Sequence, residues 1–240
     1  MKRIHIILTG LSLTIILLSI NRLTSLTQGY LQPYEFLRWL DFNAMLPIPI
    51  LSVLLYYLLR REIMYESTFY KRKLYLIFAL LFVSGVYFFG AGSGDHEVTN
   101  YLNFRFCEGV ESNSTQSSSI LCNIIDYNDN KFSHYVYYLG FVLLNVSLML
   151  LEHFYPRKTR VLNKDLILIA LNSVFIALGI FANLAFEEAF IDLIVFSSVM
   201  VLSIYLLLFT KRRKRELPIT FYFAASYTLG IISTLIYKIL

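Results

Sequence analysis

Charge is scarce in this chain. Only 15% of its 240 residues are Asp, Glu, Lys or Arg, where a soluble domain carries about 25%. Glycine and proline are also few, at 10 and 5, which excludes collagen-like and Pro/Gly-rich disordered classes. Two cysteines and four histidines are too few for a disulfide framework or a cysteine-rich zinc module. No Ala-x-Ala-like cleavage site follows the first apolar run, only NRLTSLTQGY, so that run is expected to be a retained span and not a cleaved signal peptide.

What fills the chain instead is apolar. Hydrophobic residues make up 57%, with 20 Phe and 18 Tyr, and the mean hydropathy is +0.62. Several charge-free runs are long enough to cross a hydrocarbon core, which takes about 20 residues. They predict an all-α, polytopic membrane protein, a single domain over 1–240 with spans near 4–20, 43–59, 74–91, 134–151, 165–184, 190–210 and 218–237. Sixteen of the 21 basic residues then fall on one side: Lys2 and Arg3, the group from Arg60 to Lys73, the group from Arg157 to Lys164, and Lys211 to Arg215. By the positive-inside rule this side is cytoplasmic, with a cytoplasmic N-terminus and an extracytoplasmic C-terminus. The run KRRKR at 211–215 reads as a topology anchor beside lipid headgroups, so no nucleic-acid partner is expected. Membrane lipids are the expected partners and the cell membrane the expected location.

Between the spans, 21–42 is a short external connection whose Tyr30, Tyr34 and Trp39 suit an interfacial aromatic belt. The one long connection is 92–133, expected as an extracytoplasmic loop. Cys107 and Cys122 bracket its serine-rich tip, and a disulfide between them would close a loop of about 15 residues, stabilising it by about 3 kcal/mol. Asn113-Ser114-Thr115 in that tip matches a glycosylation sequon.

The acids and histidines gather toward the outer side. The stretch GAGSGDHEVTNYLNFRF at 90–106 reads as a glycine-rich break followed by Asp95, His96, Glu97 and Asn100. DYNDN at 126–130 brings Asp129 to the mouth of the fourth span, just before His134, and Glu187, Glu188 and Asp192 cluster between the fifth and sixth. Inside the spans, His134, Tyr138, Asn145 and Glu152 share one helical face, and Asn172, Gly179 and Asn183 share another. Ionisable groups at such depth are costly and point to function. His96 and His134 are candidate metal ligands, zinc being the model cation. Asp95, Glu97, Asp129 and Glu188 are candidate further ligands, acids or bases. Asn100, Tyr138, Asn145 and Asn183 would line the site. His96-Glu97-x-x-Asn100 begins like the zinc-protease helix motif, but an asparagine stands where the second histidine is required.

The segment Asp129-Asn-Lys131-Phe-Ser-His134-Tyr resembles the Asp-Lys-x-x-His segment of VanZ-like membrane proteins, with the aspartate displaced. The likeness covers only these residues and implies no family. The seven-span hydrolases of the alkaline-ceramidase and adiponectin-receptor kind carry histidines in their last span, and this chain has none there. Two functions follow as expectations. One is a membrane enzyme, a metal-dependent hydrolase of a lipid or other hydrophobic substrate. The other is a non-catalytic carrier or assembly subunit whose outer polar groups only cap helices.

Overall fold

The computed structural model describes the whole chain except residues 66–71, 108–119, 158–159, 187–189, 210–215 and 240, and the side chains of 72, 186, 190 and 191. The described residues are almost entirely helical: α1 (Lys2–Leu23), α2 (Trp39–Met45), α3 (Pro47–Tyr65), α4 (Arg72–Phe106), α5 (Ile120–Tyr127), α6 (Ser133–Phe154), α7 (Asn163–Phe186), α8 (Phe190–Leu208) and α9 (Pro218–Ile239). Six described stretches are long and apolar enough to cross a membrane, and α8 adds a shorter apolar run, Asp192–Leu208. The chain is an all-α polytopic membrane protein.

Local sequence explains the boundaries. Pro47 and Pro218 stand at first helical positions, where the missing N–H costs nothing. Pro47 also separates α2 from α3, having no N–H to donate to the preceding turn. Between α5 and α6, residues Asn128–Phe132 form a π-helical turn.

The glycines at 90, 92 and 94 do not break α4. The helix runs through them to Phe106, and α5 resumes at Ile120, so most of the segment expected as a long loop is helix. Sulfur–sulfur bonding joins Cys107 to Cys122, while the sequon at 113–115 lies outside the described residues.

The residues gather into two compact units. One comprises Met1–Ile16, Leu54–Val83 and Val142–Leu240; the other comprises Leu17–Val53 and Ser84–Phe141. In the first, α9 packs on α7 and α8, and Leu8, Leu144, Leu148, Ile169, Tyr222 and Tyr227 are fully buried. Its polar groups are used for fastening. Asn145 accepts from the Tyr56 hydroxyl at 2.7 Å and donates to the Tyr227 hydroxyl at 2.6 Å. Glu152, buried, accepts from the Ile219 and Thr220 N–H groups at 3.0 and 2.7 Å and from Thr220 Oγ1 at 2.8 Å. It thereby satisfies donors at the start of α9 that have no partner inside the helix. His5 meets Asp165 at 2.8 Å, and Ser12 donates to Asn172 Oδ1 at 2.9 Å.

In the second unit, α4 and α6 cross with almost no space between their backbones. A Cβ on Gly92 would lie 2.3 Å from the Tyr137 nitrogen, and one on Gly140 would lie 2.1 Å from the Phe89 nitrogen. Glycine is required at both places, as at close helix crossings in membranes generally.

Candidate functional site

The second unit holds a cluster built from α1, α2, α4 and the π-helical turn. Its first layer is two arginine–carboxylate pairs. Arg38 Nε and Nη2 donate to the two Asp41 oxygens at 2.7 and 2.8 Å, with Asp41 fully buried. This bidentate fork also closes the start of α2, where Asp41 accepts from the Arg38 backbone N–H. Burial works against the Arg38 charge, but the hydrogen bond and charge of Asp41 outweigh it and raise its pKa above the ordinary value. Arg38 reaches on to Asn100 Oδ1 at 3.4 Å and lies over the Phe104 ring. Arg22 pairs with Glu97 Oε1 at 2.5 Å, and Asn21 joins Asn43 and the Leu40 carbonyl.

The second layer is the histidine pair. His96 Nδ1 lies 2.9 Å from Asp129 Oδ1 and 3.3 Å from the Asp129 carbonyl oxygen. Both are acceptors, so Nδ1 is the donor in these contacts. The side chain of His96 is 24% exposed while that of Asp129 is 8% exposed, so the imidazole can be reached and its orienting carboxylate cannot. His134 packs its ring edge-on against His96, with centroids 4.8 Å apart, and Tyr138 follows at 5.9 Å from His134.

The π-helical turn makes this possible. Asp129 and His134 are five positions apart, which a regular α-helix would turn about 140° from each other. The i→i+5 bond from the Ser133 N–H to the Asn128 carbonyl widens the turn and sets both residues toward His96. Such turns recur at functional sites.

The expected residues therefore divide. Asp95, His96, Glu97, Asn100, Asp129, His134 and Tyr138 belong to this unit, and Asn145 and Asn183 to the other. Glu188 lies outside the described residues. Among the described residues no three His, Cys, Asp or Glu are placed to hold a metal ion, so the zinc expected at His96 and His134 is not supported there. Asp129 occupies Nδ1 of His96, and Arg22 occupies Glu97. Arg22 and Arg38 went unmarked in the sequence beyond the charge count. Their only trace there was that they are two of the five basic residues on the acid-rich side.

No protein-family model matches the chain, and neither a curated protein nor a solved structure matches it.

Proposed function

We propose that the protein is an enzyme of the cell membrane that performs general acid–base chemistry on a lipid or other hydrophobic substrate. One observation carries this reading: His96, partly exposed, is held at Nδ1 by buried Asp129. An oriented imidazole of this kind is how proteins move protons near neutral pH. In a hydrolysis, Nε2 takes a proton from water as the water oxygen bonds the acyl carbon. The imidazolium, steadied by Asp129, then returns the proton to the departing alkoxide. His134 braces the ring from one side. Glu97 and Asp41 take no part, since arginines hold them.

That same pairing supports a second reading, a carrier or assembly subunit in which the acids are purely structural. One experiment separates the two. Wild-type protein and His96→Gln are produced to equal levels in one host, and the membrane lipids are compared by mass spectrometry. The enzyme reading expects the wild type to remodel a lipid class and the variant to lose that change by about a hundredfold or more. Lipids left unchanged by the wild type, or remodelled equally by the variant, would overturn it.

A further inference from the structure

The chain between α1 and α2 is an ordered hairpin. Leu31 N–H donates to the Leu37 carbonyl at 2.8 Å, Trp39 N–H to the Gly29 carbonyl at 2.9 Å, and Tyr30 bridges Arg38 in antiparallel fashion. At its tip Tyr34 and Glu35 have φ of 70° and 51°, a left-handed conformation that side chains other than glycine seldom adopt. Helix α4 holds the tip there. The Tyr101 hydroxyl and Arg105 both donate to the Glu35 carbonyl, and the Tyr30 ring meets the Tyr101 ring edge-on at 6.4 Å.

This fastening does not bury the hairpin's large side chains. Tyr34 is 88% exposed, Phe36 55% and Trp39 45%, and Leu23 and Leu26 at the end of α1 are more than 80% exposed. Strained residues persist where the surroundings over-determine them, typically at ligand clamps. Here the strain turns aromatic side chains outward. The flanking charges are all engaged: Arg22 with Glu97, Arg38 with Asp41, Arg105 with Glu35.

We infer that the hairpin at 29–39 is a lipid-engaging element that rests its aromatic tip in the headgroup region of the bilayer. One end is the start of the span at Trp39 and the other is joined to α1 by a short turn at Ser25–Thr27, so the few residues on each side cannot carry the tip far from that interface. Aromatic rings with polar edges favour that level. Because its cations are paired, the element binds through apolar burial and does not select anionic lipids. Its anchorage to α4 ties the membrane surface to the helix that carries His96.

Trp39 is the only tryptophan, so its fluorescence reports on this hairpin alone. The full chain is reconstituted in phosphatidylcholine vesicles whose acyl chains are brominated near the carbonyl end or near the methyl end. The expected result is strong quenching by the shallow bromines, weaker quenching by the deep ones, little quenching by aqueous iodide, and no change when phosphatidylglycerol is added. Tyr34→Ser with Phe36→Ser, both exposed positions, should keep the helical circular dichroism while losing bromolipid quenching and gaining iodide quenching. Quenching by iodide alone would place the hairpin in water, and protection from both quenchers would place it against protein. Either result, or a double variant indistinguishable from wild type, overturns the inference.

Discussion

Glu152 offers the sharpest test of how α9 is held. Three donors converge on its carboxylate, and both contributing residues, Ile219 and Thr220, are fully buried. Glu152→Ala leaves two N–H groups at the helix start with no other partner. At the average of about 0.6 kcal/mol found for hydrogen bonds within membrane proteins, the three sum to roughly 2 kcal/mol. Counted as bonds to a charged acceptor whose loss strands buried donors, they reach about 5 kcal/mol. The lower figure already corresponds to about a thirtyfold shift in the unfolding equilibrium. Glu152→Gln keeps one acceptor oxygen and should lose about half as much. Thr220→Val removes a single bond and should lose least, about 0.6 kcal/mol. Unfolding in mixed micelles with rising SDS, followed by far-ultraviolet circular dichroism, measures all three. A Glu152→Ala protein as stable as wild type, or a Thr220→Val protein as damaged as Glu152→Ala, would refute the reasoning.

Two further tests use the same titration. Gly92→Ala and Gly140→Ala should each cost about 1–3 kcal/mol or abolish folded yield, because the new methyl meets backbone. Gly90→Ala and Gly94→Ala, where nothing lies within 4 Å, should be neutral or stabilising by up to about 1 kcal/mol; equal behaviour of the four would disprove the close crossing. In a double-mutant cycle, Asn145→Ala and Tyr56→Phe should couple by about 0.6–1.7 kcal/mol, and strict additivity would mean that their 2.7 Å bond contributes nothing.

The helices were legible because a run free of charge and long enough to span a bilayer has few other uses. The meeting of His96 with His134 was legible as a question, since both sit at the same ends of neighbouring spans. Three things were hidden for physical reasons. The glycines at 90–94 looked like a break because glycine weakens isolated helices, yet in a tightly packed pair the missing side chain is what the neighbour needs. The shared face of His134, Tyr138, Asn145 and Glu152 was correctly traced, but periodicity cannot tell a fastening from a site: Asn145 and Glu152 bind other helices, His134 and Tyr138 meet His96. Finally, the spacing from Asp129 to His134 assumed a regular helix. The π-helical turn at Asn128–Phe132 makes it otherwise, and no hydrophobic period announces it.

The crossing of α4 and α6 acts as the pivot of a pair of shears. His96 stands one turn beyond Gly92 on one blade, and His134 stands just before Tyr137 on the other. Rotamer changes can tilt the two rings, but only the pivot sets how far the blades stand apart there. Besides its cost in stability, the smallest enlargement at residue 92 or 140 would part the imidazoles. Under the proposed acid–base function, loss of activity in a chain that still assembles would then trace to a position carrying no chemistry of its own.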